Sequence, residues 1–299
     1  MPDNPIWIPQ EQILTFEEIT RLATIFASSG ITKIRLTGGE PTVRPDVEKL
    51  VQSLEGIPGI TDVSMTTNGY FLKEKASILK EAGLKGVTVS LHSLRPERFG
   101  EITGRELYDR VFDGIMAAVE AGLRPVKINT VVIRGCNDDE IIDLARLGHE
   151  SGLTIRFIEY MPFDGKRLWG MEKVVSGSEI IEQISRVFKL VELPRSAGST
   201  AKMYSFADNS GQIGVITSIT APFCDDCDRI RLTADGKLVP CMWDHAEHDL
   251  KPLLRNGVSD EEIAAYMVEC VKLKAEGVGA LFEKLIPLEH VRPMHTLGG

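Results

Sequence analysis

The sequence predicts an α/β fold built on a parallel sheet of βα units, open or barrel-like. Three observations carry that reading. Five short strand-like segments alternate with helical ones between residues 32 and 160. Each of the first four strands is apolar on one side and polar on the other. Beyond Met161 the rhythm changes to short hairpin segments and a cysteine-rich stretch. Strand–helix alternation is the pattern of parallel sheets, because parallel neighbours need a crossover, usually helical, between them.

The elements follow in order. Thr15 with Glu18 three residues later is a capping box, and Phe16, Ile19, Leu22, Ala23 and Phe26 then recur at helical spacing until Gly30. A strand over Thr32–Thr37 runs into Gly38-Gly39-Glu40-Pro41. Pro45 suits the first turn of the next helix. Strand Asp62–Thr67 ends at Asn68-Gly69 before a helix over Leu72–Ala82. Strand Gly86–His92 leads to a loop containing Thr103-Gly104, then a helix over Asp109–Ala121. Strand Pro125–Ile133 precedes a helix capped by Asn137, with Glu140 three residues on. Strand Thr154–Tyr160 closes the series.

Buried parallel strands usually read as continuous apolar runs. These alternate instead. Lys33 and Arg35 oppose Ile34 and Leu36; Ser64 and Thr66 oppose Val63 and Met65; Thr88, Ser90 and His92 oppose Val87, Val89 and Leu91; Lys127 and Asn129 oppose Val126 and Ile128. With helices over the apolar face, the polar face lines a lumen or cleft, and Arg35 and Lys127 within it suit an anionic ligand. The simpler alternatives are a sheet with one solvated face, or a buried ion pair at Arg35 and Lys127. The last strand is ambiguous, since Arg156 and Glu159 fall on opposite faces.

The C-terminal part predicts a helix over Ser178–Phe188, antiparallel strands Lys202–Phe206 and Gln212–Ile216, and a capped helix over Ser259–Leu273. Between the last two lie Cys224, Cys227 and Cys241, three of the five cysteines, with Arg229 and Arg231 between them. An Asp235-Gly236 turn predicts a hairpin that folds Cys241 back toward the other two thiols. Three convergent thiols imply a soft metal or an iron–sulfur cluster. The zinc alternative takes His245 or His248 as a fourth ligand. Two arginines at alternate strand positions imply an anion nearby. Cys136 and Cys270 have no partner at metal-site spacing and read as structural.

Bulk properties narrow the function. The chain has 299 residues, an apolar share of 43%, and a formal net charge of -9. It carries enough apolar residues for a full core, and its acidity argues against a generic nucleic-acid or membrane-surface binder. It has no apolar run long enough for a membrane span and no signal-peptide pattern, so a cytoplasmic protein is expected.

The pieces Arg35-Leu-Thr-Gly-Gly-Glu-Pro41, Thr66-Thr-Asn-Gly69, the Ser90 strand, Lys127-Ile-Asn-Thr130, Phe157-Ile-Glu-Tyr-Met161, Cys-x2-Cys-x13-Cys and the terminal Gly298-Gly299 run over essentially the whole chain. On them, the sequence resembles the radical S-adenosylmethionine (SAM) superfamily and, more closely, the GTP 3',8-cyclases of molybdenum-cofactor biosynthesis. The resemblance implies an incomplete TIM-like (βα)6 barrel over residues 1–162, with its first strand absent, and a C-terminal α+β iron–sulfur domain over 163–299. It implies a lyase that cyclises GTP to 3',8-cyclo-7,8-dihydro-GTP. In such enzymes a reduced cluster cleaves SAM, the resulting radical takes the ribose 3' hydrogen, and the ribose carbon attacks C8 of guanine. By resemblance, Gly39, Ser90 and Met161 contact SAM, and Arg35, Thr66, Lys127, Arg229, Ile230 and Arg231 contact GTP. Cys224, Cys227 and Cys241 hold an auxiliary [4Fe-4S] cluster with one iron left open, and Gly298 and Gly299 reach the active site. The implied partners are an electron donor, a separate downstream pyranopterin-forming enzyme and a second copy in a homodimer; nucleic acid and membrane are not among them.

The sequence departs from that family in two places. The superfamily's Cys-x3-Cys-x2-Cys motif is missing, since no cysteine precedes Cys136. A start at an internal methionine is therefore expected, and the chain as written is not expected to cleave SAM. His92 stands where the family more often has Asp. Two further readings stay open: an inactive GTP- or metal-binding remnant, and another radical SAM enzyme with an auxiliary cluster.

Overall fold

The computed structural model describes residues 8–163, 168–196, 198–243, 246–274, 277 and 294–297. Its centre is an eight-stranded sheet. The first five strands are β1 (Lys33–Leu36), β2 (Asp62–Thr67), β3 (Val87–Ser90), β4 (Val126–Val132) and β5 (Thr154–Glu159), each parallel to the one before. The chain then adds β6 (Leu190–Glu192), β7 (Lys202–Phe206) and β8 (Gln212–Ile216) in the order β5-β8-β7-β6.

The intervening helices are α1 (Phe16–Ser28), α2 (Val47–Glu55), α3 (Leu72–Glu81), α4 (Pro96–Thr103), α5 (Tyr108–Glu120), α6 (Ile141–Ser151) and α7 (Gly177–Ser185). They cover the apolar face of the strands, where Val63, Met65, Val87, Val89, Ile128, Ile155 and Phe157 join Leu50, Leu54, Leu79, Ile115 and Leu144 in the main core. The polar face is left to the interior of the curve.

A second layer is C-terminal. The strands β9 (Arg231–Leu232), β10 (Lys237–Val239) and β11 (His248–Asp249) form a small antiparallel sheet, followed by α8 (Lys251–Arg255) and α9 (Asp260–Lys272); a short α10 covers Met294–Leu297. Helix α1 joins the layers. Its Ala23 packs into the barrel core, while Leu22, Ile25 and Phe26 pack with Leu238, Leu250, Leu254, Ile263, Met267 and Cys270. Ion pairs Arg255–Glu18 and Arg21–Asp260, both 2.7 Å, sit at the edge of that contact. The capping boxes at Thr15, Ser176 and Ser259 are all formed.

Several sequence expectations need correction. The series does not close at β5: β8 pairs with it in parallel, so the sheet continues past residue 162 into the C-terminal part. Asn137 takes the N-cap position of a 3-10 turn (Asp138–Glu140) that runs into α6, but its side chain makes no capping bond. Its amide donates to the carbonyls of His92 and Val131 and accepts from the Ile133 amide, and Glu140 is the N-cap residue of α6. Pro45 lies outside α2, whose N-cap is Asp46 in a left-handed conformation. The loop after β3 contains α4, which ends at Gly104, φ +70°. The hairpin of β7 and β8 is antiparallel as read, and β6 was too short to be legible.

Candidate active site

The C-terminal ends of β1–β5 form one rim, where parallel sheets with crossover helices present their loops and ligands. The first rim loop is Gly38-Gly39-Glu40-Pro41. Gly38 has φ +143°, a value that favours glycine. The Glu40 carboxylate accepts from the Thr42 amide at 3.0 Å, the Thr67 hydroxyl at 2.7 Å, the Asn68 amide at 2.6 Å, and the Thr42 hydroxyl. One side chain thus ties the loop after β1 to the end of β2 and leaves Gly39 exposed on the rim. Ser90 ends β3 half-buried. Met161 follows β5 and packs against both Phe163–Cys241 and Ile158–Ile216 neighbourhoods.

Two more carboxylates, fully buried, do the same elsewhere on the rim. Glu140 accepts from the Ser93 hydroxyl at 2.7 Å, the Leu94 amide at 2.6 Å and Arg98 at 2.6 Å. Glu159 accepts from the amides of Gly177, Ile219 and Thr220, each at 2.8 Å, and from the Thr220 hydroxyl at 2.5 Å. Glu159 therefore joins β5 to α7 and to the loop leading into the cysteine stretch. The sequence names both residues but not this role, because nothing local marks the backbone amides they serve.

Below the rim, register sets the interior. Thr66 pairs laterally with Thr88, Thr88 with Lys127, and Asn129 with Arg156. Arg35 donates to the Thr88 hydroxyl at 3.2 Å, and Arg156 donates to the same hydroxyl at 3.4 Å and to the Asn129 amide oxygen at 2.9 Å. The ambiguity of β5 is resolved: Arg156 belongs to the lumen and Glu159 to the opposite face. Gly214, the lateral neighbour of Arg156 on β8, leaves room for it. A methyl there would lie 2.8 Å from Met203 Sδ and 3.3 Å from Arg156 Cγ.

These cations face one another without carboxylate partners at hydrogen-bond distance among the described residues. Burial, then the charges of Arg156 and Arg35, push the Lys127 ammonium down to about 8. Burial, then Arg35, lowers Arg156 to about 10. Arg35 keeps surface open to solvent, yet desolvation of its guanidinium lowers it, opposed by the charge of Asp62 and assisted by that of Arg229. A cluster of partly desolvated like charges is electrostatically unfavourable alone and favourable once an anion lies among them. His92 takes a different part. Burial pushes it down to about 4, so its ring is neutral, and its Nδ1 accepts from the Val131 amide at 3.2 Å. The ring nitrogen stands in for an acceptor oxygen and ends the ladder between β3 and β4.

The C-terminal sheet brings a second set of cations to the same space. The hairpin pairs Val239 with Arg231, and Gly236 supplies φ +89° at its turn. Continued past Val239, that register carries Cys241 beside Arg229, close to Cys227. Arg229 donates to Cys227 Sγ at 3.3 Å, its guanidinium lies 5.4 Å from the Phe223 ring centre, and its Nε is buried without a partner. Arg231 donates to Met242 Sδ at 3.5 Å and is lowered by burial and by Arg229. Ile230 packs at the edge of the α1–α9 core.

Burial raises the Cys227 thiol, but hydrogen bonding to Arg229 and the charges of Arg229 and Lys274 outweigh it and leave it below the ordinary range. Burial raises Cys241, and the neighbouring Cys227 and Cys224 add to the rise. Cys241 is therefore within electrostatic reach of both other cysteines. Among the described residues, however, no three Cys, His, Asp or Glu side chains converge tightly enough to form a ready metal site. His248, one of the alternative zinc ligands, packs edge-on to Tyr266 at 6.2 Å, and His245 lies outside the described residues. Gly298 and Gly299 also lie outside them. Met294 does not: its amide donates to the Phe163 carbonyl at 3.1 Å, and it packs with Phe163, Cys241 and Trp243. Cys270 is buried in the core and Cys136 is half-buried beside Arg98. No helix among the described residues is long and apolar enough to cross a membrane.

Comparison with known proteins gives consistent results. Residues 3–148 match the family model described as the Radical SAM superfamily, and residues 153–279 match Molybdenum Cofactor Synthesis C. The chain is 45% identical over 279 residues to the GTP 3',8-cyclase of Pelotomaculum thermopropionicum, covering 92% of this chain and 86% of that protein. It is 43% identical over 302 residues to the GTP 3',8-cyclase of Thermodesulfovibrio yellowstonii, covering 100% and 92%. It is 41% identical over 300 residues to Molybdenum cofactor biosynthesis protein 1 of Mus musculus, covering 100% of this chain and 47% of that longer protein. In structure it is similar to Streptococcus suis SuiB, solved with bound S-adenosylmethionine, at a TM-score of 0.62 and 16% identity over 95% of this chain and 70% of that one.

Proposed function

This chain belongs to the GTP 3',8-cyclase family of radical SAM enzymes, and from that premise we propose that it acts on GTP in the first step of molybdenum-cofactor biosynthesis, forming 3',8-cyclo-7,8-dihydro-GTP. The observation that carries the reading is the cation set Arg35, Lys127 and Arg156 in the lumen, with Arg229 close enough to repel Arg35. A triphosphate carries several negative charges, and charge-assisted hydrogen bonds are the strong way to hold one.

In this reading Arg35, Lys127 and Arg156 hold the phosphates, and Thr66 lines the same wall. Arg229, Ile230 and Arg231 close over the nucleotide from the C-terminal side. Gly39, Ser90 and Met161 form the SAM end of the rim, supported by the exposure of Gly39 and by the anchoring of its loop through Glu40. Cys224, Cys227 and Cys241 are the donors for an auxiliary [4Fe-4S] cluster. The donor chemistry fits, because three thiols belong to one hairpin and the turn before it, and two cations donate to Cys227 Sγ. When bound, reduced iron–sulfur and SAM supply the one-electron chemistry that activates the ribose. The chain's own residues orient the guanine and ribose, neutralise the phosphates and exclude water. Docking of Met294 beside Cys241 supports a role for Gly298 and Gly299 at the site. A reducing cytoplasm, an electron donor, a separate pyranopterin-forming enzyme and a homodimer complete the proposal.

The sequence holds no Cys-x3-Cys-x2-Cys motif, so the test reads binding rather than turnover. The full chain is reconstituted anaerobically with iron and sulfide beside a Cys224→Ala/Cys227→Ala/Cys241→Ala variant, and GTP binding is measured by equilibrium dialysis. Labile sulfide that the triple variant loses, together with saturable GTP binding, is the expected result. Stoichiometric zinc without sulfide overturns the cluster assignment, and absence of GTP binding overturns the substrate.

A further inference from the structure

The end of α9 lands on the cysteine loop through a lysine that the mechanism above does not use. The Lys274 ammonium donates to the Cys227 carbonyl at 2.8 Å, the Arg229 carbonyl at 2.9 Å and Cys227 Sγ at 3.3 Å. Among the described residues all its hydrogen bonds fall on these two residues. Asp225, Asp226 and Asp228 lie in the same loop, yet no ion pair to Lys274 forms among the described residues. A half-buried ammonium whose hydrogen bonds go to two carbonyls and a sulfur of one turn is fixing that turn.

Two neighbouring observations point the same way. Cys227 Sγ takes a second cationic donor, Arg229, also at 3.3 Å, so one sulfur is held from both sides. Three residues beyond Lys274, Gly277 is buried against Cys224 with φ +94°, and any side chain there would collide with Cys224 Cβ and Sγ. The segment after α9 thus fits against both cysteines of the Cys-x2-Cys pair. The turn it grips runs straight into Arg229, whose buried Nε has no protein partner.

We propose that Lys274 is a positioning residue that locks the Cys227–Arg229 turn, setting the Cys227 sulfur for metal and the Arg229 guanidinium for GTP, and that its charge tunes the cluster that Cys227 holds. The charge effect rests on the cluster reading above; the lock does not. Partners that orient metal ligands typically change metal affinity about 10–100-fold when removed. Positive charge and N–H donors at a ligating sulfur favour the reduced cluster.

The test compares the wild-type full chain with Lys274→Met and Lys274→Arg. In the metal-free chains, amide hydrogen exchange is followed through residues 224–231. Lys274→Met should exchange faster there and unchanged elsewhere, and Lys274→Arg should recover part of the protection. In the iron- and sulfide-loaded chains, Lys274→Met should lose iron to a chelator about tenfold faster or more, and its reduction midpoint should move to more negative potential. Wild-type exchange in that segment overturns the lock. A rise throughout the chain overturns it too, because Lys274 would then support the whole fold. Wild-type chelator resistance and potential in Lys274→Met overturn the tuning. If wild type itself holds no iron at the three cysteines, the cluster reading and the tuning fall together, while exchange still decides the lock.

Discussion

The barrel interior and the cysteine hairpin present cations to the same space, but they hold them by different means. In the barrel, Arg35, Lys127 and Arg156 stand on strands whose ladders fix each side chain against its neighbour. In the hairpin, β9 has two residues and β10 three, so the ladder specifies little. Arg229 and the cysteines are placed instead by single side chains and a close-packed glycine reaching in from α9. The barrel is built before a ligand arrives and bears the cost as charge repulsion. The hairpin is held by contacts from a segment distant in sequence, so its cysteines and Arg229 depend on those contacts for their placement.

Replacing the strongest barrel cation should break this contrast most clearly. Arg156→Met is expected to weaken GTP binding by about 2–5 kcal/mol, as removal of a buried charged partner does. It should leave the ligand-free thermal midpoint unchanged or raised, because repulsion with Arg35 and Lys127 is relieved. Retained affinity in dialysis would show that the anion site is elsewhere.

The joint between the two regions is Glu159. Glu159→Gln keeps the shape but turns an amide donor toward amide donors, at about 2–4 kcal/mol for the buried groups left unpaired. Urea unfolding should show that loss, and amide exchange should rise around Gly177 and Thr220. An unchanged midpoint would mean that the regions are not joined here.

Smaller still is the packing behind Arg156. Gly214→Ala places a methyl against Met203 and Arg156, at about 1–3 kcal/mol for overpacking. GTP affinity should fall with it, because the guanidinium is displaced. A stability loss without an affinity loss would separate packing from placement.

A change of pH tests the same contrast without a substitution. Lys127 titrates at about 8 in the fold against an ordinary lysine value of 10.5. Between those values the unfolded chain binds more protons, so the ligand-free fold gains stability as pH rises through that window. The penalty is present in full below it. GTP binding should move oppositely and weaken above about pH 8, as the ammonium is lost. Lys127→Met should abolish both slopes, as calorimetry and dialysis can show.

Much of this was legible without coordinates. Strand alternation assigned Arg35, Thr66 and Lys127 to one face, because period two is a property of the extended backbone itself. The capping box at Thr15, the capped start at Ser259 and the turn at Asp235-Gly236 were equally local, and each formed. The motif spacing named the family that the relatives confirm. Tertiary structure decided the rest. Arg156 and Glu159 share a strand, and only the neighbours that β4, β8 and α7 bring to its two faces separate a lumen cation from a structural clamp. Asn137 had the spacing of a cap but met better partners in the carbonyls of His92 and Val131. Lys274 lies 47 residues from Cys227 in the chain, and no local pattern marks their meeting. Within one element, spacing and chirality fix the face a side chain takes; what it meets there depends on which distant segment the core packs against it.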